Sequence, residues 1–260
     1  MPSTRQLLTL LFALPASIHA VTFDCEKIRI DKQSFNLGSL GGPRVVHDLT
    51  RTPPTISNTT YTIDICQSLV REKDVPKEHS CSSGTRVCAK EYDYDPIDNK
   101  ESLHVVKEIA GEYATSHGRS LEPQLTRLKG SASHSDAEKE GIRVELNGGK
   151  WGSQKQKAII EFICDPELTG NEGYEKEKDA ERRAIRRAEG EDEDDGDVEL
   201  PDLDKGKSLQ FVKYSTIDEV GVLRLSWKTK YACEGTADKA PKKDGSKSAS
   251  WGFFTWFIIM

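Results

Sequence analysis

The chain has 260 residues, of which 31% are charged and 35% are hydrophobic, and its formal net charge at pH 7 is -6. This length accommodates one large domain or two small ones. The net charge is negative and no basic stripe is interleaved with aromatic residues, so the composition argues against nucleic-acid binding.

Residues 1–20 have the layout of a secretory signal peptide. Arg5 provides a basic start, residues 7–14 form an apolar run too short to cross a bilayer, and cleavage is expected after Ala20. The alternative is a buried N-terminal helix, which this layout disfavours. We therefore expect the mature protein to begin near Val21 and to enter the secretory pathway.

Short segments of alternating polarity follow. The two-residue period predicts half-buried strands at residues 60–66, 141–146 and 221–227, and the denser apolar run at residues 158–164 predicts a strand covered on both faces. Turn-forming sequences separate such segments, at residues 40–43, 52–54 and 147–152. This pattern predicts an all-β fold, either an antiparallel sandwich or a flattened barrel.

Six cysteines remain after the expected cleavage: Cys25, Cys66, Cys81, Cys88, Cys164 and Cys233. An even number of cysteines in an oxidising compartment predicts three disulfides. Zinc binding is the alternative, but the sequence contains neither CxxC nor HxxxH spacing. The "NTT" motif at Asn58 predicts one glycosylation site, in agreement with luminal exposure.

The sequence gives no sign of catalysis. It lacks the GxSxG, HExxH and P-loop motifs. Residues 93–98 begin like a calcium-binding loop but lack the glycine at the sixth position and the glutamate at the twelfth. We therefore expect no enzymatic activity, no metal and no cofactor.

Residues 172–205 form a strongly charged insert. Opposite charges three or four residues apart between Glu175 and Glu189 can support an exposed helix. The acidic block at residues 191–197 is expected to remain solvated because its charges repel one another. We interpret the segment as a disordered insert between two strands, and the alternative is an acidic docking or cation-buffering loop.

Residues 236–250 are rich in lysine and serine, contain glycine and proline, and predict a flexible linker. It leads to the apolar run at residues 251–260, where Trp251 and Trp256 suit a membrane–water interface. A spanning helix needs about 20 apolar residues, so we expect this run to be the first half of a transmembrane helix that continues beyond Met260. A C-terminal β-strand and a lipid-anchor signal are the alternatives.

Four fragments carry a family resemblance: "YTIDICQSL", "GTRVCAK", "KAIIEFICD" and "LSWKTKYAC". With the cysteine framework, they resemble a mannose-6-phosphate-receptor-homology domain, and within that group the fungal autophagy-related protein 27 family of single-pass type I membrane proteins. The resemblance implies a luminal domain at residues 21–235, folded as a flattened β-barrel of two crossed antiparallel sheets. It also implies three disulfide pairings, Cys25 with Cys66, Cys81 with Cys88, and Cys164 with Cys233.

Sugar-binding proteins of the receptor-homology group hold mannose with a glutamine, an arginine, a glutamate and a tyrosine. At the corresponding positions this sequence has Ala89, Lys157 and Glu219, and no aromatic hydroxyl occurs at residues 223–225. Lysine keeps the charge of arginine but loses its planar fork. Lys157 and Glu219 therefore form at most a degenerate sugar site, with ordinary sheet or surface roles as the alternative, and mannose-6-phosphate binding is not expected.

The resemblance implies a trafficking factor that supports formation of autophagosomes and cytoplasm-to-vacuole vesicles and cycling of the multispanning autophagy membrane protein. The implied partners are autophagy membrane proteins, together with phosphoinositide reached by a cytosolic tail beyond this chain. The implied locations are the membranes of the Golgi, cytoplasmic vesicles, the vacuole and the preautophagosomal structure. The alternative function is a luminal glycan-binding cargo receptor of the secretory pathway.

Overall fold

The computed structural model describes residues 23–71, 73–95, 100–113, 119–130, 138–174 and 202–236. The predicted signal peptide, the apolar run at residues 251–260 and all of the predicted linker except Thr236 lie outside these residues, as do residues 175–201 of the charged insert. Within the described part of the chain, no helix is long and apolar enough to cross a bilayer.

The described residues form eleven β-strands and three short 3-10 turns, and no α-helix occurs among them. The all-β prediction is therefore confirmed. The strands are β1 (Ile28–Ile30), β2 (Gln33–Phe35), β3 (Arg44–Thr52), β4 (Thr55–Ile63), β5 (Thr85–Asp95), β6 (Lys100–Gly111), β7 (Gln124–Arg127), β8 (Gly141–Trp151), β9 (Gln154–Cys164), β10 (Leu209–Ile217) and β11 (Val220–Thr229).

Nine of these strands form one continuous sheet. Its order is β10-β11-β9-β8-β6-β5-β4-β3, with β7 paired to β8, while β1 and β2 form a separate hairpin. The edge strands β3 and β10 approach each other, so the twisted sheet closes almost completely into a barrel. The expectation of two crossed antiparallel sheets is thus corrected to a single curled sheet.

One strand pair is parallel rather than antiparallel. Strand β11 runs alongside β9 in the same direction, with Leu225 opposite Ile160. Parallel neighbours require a long crossover, whereas antiparallel ones can be joined by a tight turn. The crossover here contains residues 165–208 and strand β10. The charged insert predicted at residues 172–205 falls within this crossover, after β9 and before β10 in the chain.

The barrel interior is filled by alternate residues of the predicted strands. Ile63 of β4, Ile160 of β9 and Leu225 of β11 are at most 1% exposed. Phe162 and Trp227 stack with their ring centroids 5.4 Å apart. Burying a side chain of this kind stabilises the fold by about 1.5–3 kcal/mol relative to leaving it exposed. The three segments predicted from alternation and the dense apolar run at residues 158–164 are confirmed as parts of β4, β8, β11 and β9, although β4 ends at Ile63, three residues before the predicted end.

Three disulfides tie the ends of strands to neighbouring segments. One joins the N-terminal segment to the residues after β4, one closes a loop onto β5 with a sequence separation of 7, and one links the end of β9 to the residues after β11 with a separation of 69. The bonded pairs are those that the family resemblance implies, Cys25–Cys66, Cys81–Cys88 and Cys164–Cys233.

A group with metal-ligand character lies beside the third disulfide. A carboxylate oxygen of Glu140 and the sulfurs of Cys164 and Cys233 lie within 4.8 Å of one another. Both sulfurs are bonded to each other in the disulfide, however, so neither is a thiolate that could bind zinc. This group is structural: Glu140 also accepts a hydrogen bond from the backbone N–H of Glu234 at 2.6 Å.

Candidate functional site

One end of the barrel interior is polar, whereas the rest is apolar. Side chains of directly opposite strand residues share a face, and the register pairs Asp48 with Thr59, Thr59 with Glu91, and Ala89 with Lys107. Charged residues therefore occupy inward positions here. Together with nearby aromatic and amide groups they form what we call the barrel mouth: Asp48, Tyr61, Glu91, Lys107, Trp151, Gln156, Phe211 and Tyr214.

Lys107 lies among the polar and aromatic groups of the mouth. Its Nζ donates to Glu91 Oε2 at 3.2 Å. The same Nζ lies 4.7 Å from the ring centroid of Trp151 and 5.4 Å from that of Tyr214, within the range of cation–π attraction. Its side chain is 15% exposed, and that of Glu91 is 25% exposed. Solvent therefore reaches the ion pair, although the rings cover most of it.

Aromatic stacking and one close glycine shape the wall of the mouth. The Tyr61 ring stacks on Phe211 with a centroid distance of 5.4 Å and an interplanar angle of 12°. The Tyr214 hydroxyl donates to Gln156 Oε1 at 2.7 Å. A Cβ atom at Gly221 would overlap that amide and would lie 2.6 Å from the Tyr214 hydroxyl. A larger residue at this position would displace the Gln156 amide and the Tyr214 hydroxyl from their hydrogen bond.

Burial and crowded negative charge alter proton affinities in the mouth. The pKa of Asp48 is raised, first because burial penalises the carboxylate and second because Glu91 is close. Burial also raises the pKa of Tyr61, and the neighbouring charges of Asp48 and Glu91 raise it further. Burial raises the pKa of Tyr214 despite its hydrogen bond to Gln156. Both phenols therefore stay neutral at physiological pH.

The structure does not gather the predicted sugar-site residues into one pocket. Lys157 lies on the opposite face of β9 from the buried Gln156 and donates to Glu145 at 3.0 Å. Glu219 occupies the exposed turn between β10 and β11, with a φ of 64°. Ala89 packs in the hydrophobic core. The inward residue of this part of β9 is Gln156, which the motif comparison passed over.

Asn58 lies inside β4, and 3% of its surface is exposed. A linked glycan is bulky and hydrophilic and needs an acceptor at the surface. The glycosylation at Asn58 stays a prediction of the motif, and the burial of this side chain in the folded domain speaks against it. The short motif gave no information on burial.

Side chains close the seam between the edge strands β3 and β10. Asp204 accepts from the backbone N–H of His47 at 2.8 Å and lies 3.1 Å from His47 Nδ1. Lys207 Nζ donates to the same carboxylate at 2.8 Å and to the carbonyl oxygen of Val45 at 3.3 Å. We call His47, Asp204 and Lys207 the seam latch. Their exposed fractions are 8%, 6% and 7%.

The positive charge of Lys207 and the hydrogen bonds from His47 stabilise the negative charge of Asp204 in the latch. Burial opposes ionisation of Asp204, but the hydrogen bonds from His47 and Lys207 outweigh burial and lower the pKa of this carboxyl. The latch satisfies backbone groups of β3 that have no neighbouring strand at this edge. It therefore holds the barrel closed with side chains in place of a strand ladder.

The first residue of the charged insert is bonded directly to residues on both sides of the insert. Glu172 accepts from the backbone N–H of Thr169 at 2.7 Å and is hydrogen-bonded to the Ser208 hydroxyl. Burial works against the Glu172 carboxylate, yet these hydrogen bonds lower its pKa to about 2. The backbone N–H of Ser208 also donates to the Glu172 carbonyl oxygen at 3.3 Å. The base of the insert is thus part of the folded barrel.

The outside of the barrel carries an open groove of about 950 Å³. Two of the three disulfides and the loop at residues 67–71 line it, and Val70 in this loop is 93% exposed. The lining mixes acidic residues such as Glu26 with basic residues such as Lys90. Because no single charge or polarity dominates, the groove does not define a ligand chemistry.

Comparison with known proteins places the chain in a family. The family described as autophagy-related protein 27 matches residues 7–260. A relative of that name from Gibberella zeae is 38% identical over 286 aligned positions, covering 100% of this chain and 81% of the relative. Another from Arthroderma benhamiae is 36% identical, covering 96% of this chain and 79% of the relative. With a family match over nearly its whole length and two such relatives, this chain belongs to the autophagy-related protein 27 family.

Proposed function

We propose that this protein is a membrane trafficking factor of autophagy. It supports the formation of autophagosomes and cytoplasm-to-vacuole vesicles, and it assists delivery of the multispanning autophagy membrane protein to the assembly site. Membership of the autophagy-related protein 27 family is the observation that carries this proposal. Its partners on this proposal are autophagy membrane proteins, and its locations are the membranes of the Golgi, vesicles, vacuole and preautophagosomal structure.

The disulfides support a luminal position for the barrel. All six cysteines are paired in three bonds. Disulfides of this kind persist in the oxidising compartments of the secretory pathway and are rare in the cytosol. The predicted signal peptide and the apolar run at residues 251–260 agree with a type I topology, in which residues 21–250 are luminal.

The strand directions indicate which end of the barrel lies toward the membrane in a type I topology. The described C-terminal residues follow the Cys164–Cys233 bridge, at the end of the barrel where β9 and β11 finish. Gln156 in the mouth precedes Cys164 along β9 by about eight residues, a distance of roughly 25 Å in a strand. The mouth is therefore at the opposite end from the linker, and it faces away from the membrane when the chain is anchored by its C-terminus.

A glycan-binding cargo receptor was the alternative. Lys157 and Glu219 provide no support for it, because Lys157 is paired with Glu145 outside the barrel interior and Glu219 lies in an exposed turn. We therefore propose no glycan ligand for this pair.

The test is a gene deletion in a fungus, complemented with a tagged copy of the whole protein. We expect the deletion to reduce vacuolar delivery of a cytosolic reporter during starvation, and to deplete the multispanning autophagy protein from the assembly site. The tagged copy should restore both, resist carbonate extraction, and keep a tag at residue 23 protected from protease in intact vesicles. Normal delivery and normal distribution in the deletion strain would contradict the proposal.

A further inference from the structure

The barrel mouth has an unbalanced charge. It contains two carboxylates, Asp48 and Glu91, which lie on either side of Thr59 in neighbouring strands, and Glu91 raises the pKa of Asp48. Its one ammonium group, Lys107, pairs with Glu91 at 3.2 Å. Among the described residues, none donates a hydrogen bond to Asp48 or forms an ion pair with it. The carboxylate of Asp48 is half-buried beside Tyr61 without a compensating cation.

The surrounding rings suit a cation. Lys107 already shows this preference, since its Nζ lies over the faces of Trp151 and Tyr214 while it pairs with Glu91. Aromatic faces attract ammonium and guanidinium groups, and the attraction grows when water is partly excluded. The Asp48 side of the mouth offers the same combination of a carboxylate with aromatic rings, those of Tyr61 and Phe211.

The rim of the mouth is apolar and exposed. Trp151 and Ile217 are 44% and 43% exposed, on the β8–β9 and β10–β11 hairpins. These hairpins are joined by a hydrogen bond from Gln154 Nε2 to Thr216 Oγ1 at 3.2 Å. Lysine and arginine have long apolar stems that pack on such surfaces while the charged head reaches a buried carboxylate.

We propose that the barrel mouth is a binding site for a basic side chain, a lysine or arginine presented by a partner polypeptide. The ammonium or guanidinium group pairs with Asp48 against the rings of the mouth, and its stem and flanking residues contact Trp151 and Ile217. Lys107 is an internal competitor that occupies the Glu91 side of the same site. This inference concerns the ligand of the barrel itself and stands independently of the trafficking role.

The binding test uses the full chain in detergent and four probes in calorimetric titrations. The probes are Nα-acetyl-arginine amide, Nα-acetyl-lysine amide, Nα-acetyl-citrulline amide and mannose. Citrulline has nearly the shape of arginine but no charge. We expect both basic probes to bind and citrulline to bind at least about fivefold more weakly, because the charge pairs with a partly desolvated carboxylate. Equal binding of arginine and citrulline, or binding of mannose alone, would overturn the proposal.

Three variants locate the site. Two of them should change the affinity for the arginine probe in opposite directions, and the third is a control. Asp48→Asn should weaken binding of the arginine probe at least about fivefold, whereas Lys107→Met should strengthen it because Glu91 is released. Asp218→Asn, in the exposed turn next to Glu219, is the matched control and should bind like the unaltered chain. A thermal melting curve of each variant shows whether it is folded before binding is measured. Should Asp48→Asn not fold, Lys107→Met decides alone, and unchanged or weaker binding by a folded Lys107→Met variant refutes the proposal.

Discussion

Replacing Lys207 by methionine tests whether the seam latch holds the barrel closed. The change keeps most of the apolar stem and removes the ammonium group. Asp204, which is 6% exposed, then loses the cation that pairs with it at 2.8 Å. The carbonyl oxygen of Val45 loses its bond from the same Nζ. A buried carboxylate without its cation is strongly destabilising, because burial removes its hydration and taking up a proton at neutral pH costs free energy.

The expected magnitude follows from what remains. Breaking a buried ion pair by removing one partner costs about 3–5 kcal/mol. Asp204 keeps the hydrogen bond from the His47 backbone N–H at 2.8 Å and the contact with its imidazole. We therefore expect a loss near the lower limit, about 3 kcal/mol. For a domain of this size that corresponds to a decrease in melting temperature of roughly 6–12 °C.

The assay is urea unfolding of the oxidised chain, which gives the free energy of unfolding and its dependence on denaturant. Lys157→Met is the matched control: it removes the same group from a pair with Glu145 at 3.0 Å, but those side chains are 29% and 25% exposed. Solvent screens such a pair, so its loss should cost less than about 1 kcal/mol. Equal losses in the two variants would show that burial of the latch does not determine its contribution.

Four further outcomes are expected. Gly221→Ala should destabilise the fold by about 1–3 kcal/mol through overpacking, read from urea unfolding. Replacing both Cys164 and Cys233 by alanine should cost about 4 kcal/mol, against about 2 for the short disulfide on β5, because the longer loop loses more entropy when closed. The pKa of Glu172 is lowered to about 2, so its stabilisation is complete above about pH 4.3 and is lost as pH falls toward 2, a slope that Glu172→Gln should reduce in acid unfolding. Endoglycosidase treatment of the whole protein should not change its electrophoretic mobility, and a mobility shift that Asn58→Gln abolishes would contradict the argument from the burial of Asn58.

Several residues mark the boundary between what was predictable and what was not. Alternation placed Tyr61 and Ile63 correctly on the inner face of β4, because periodicity needs only one segment. It did not identify β3, β5 and β6, in which the inward positions Asp48, Glu91 and Lys107 carry charge and interrupt the apolar pattern. Those interruptions are the residues of the barrel mouth. Charged residues at strand positions that point into the barrel were the signal that could have revealed the site.

Motif comparison also has a physical limit. It selected Lys157 on β9, whereas its neighbour Gln156 points inward, since a shift of one residue moves a side chain to the other face of a sheet. It marked Asn58 for glycosylation, although β3 and β5 pair with β4 on both sides and the asparagine is buried. In both cases a short stretch of sequence has the right chemistry, but its direction is set by neighbouring strands.

The amino-acid sequence by itself determined the class of fold and the number of disulfides, since each depends on local periodicity or on a count. Only the tertiary structure decided that the sheet is continuous, that β9 and β11 run parallel, and that His47 meets Asp204 across the seam. Contacts of this kind join residues far apart in the chain. They form only when the sheet curls, and curling depends on twist and packing summed over all its strands.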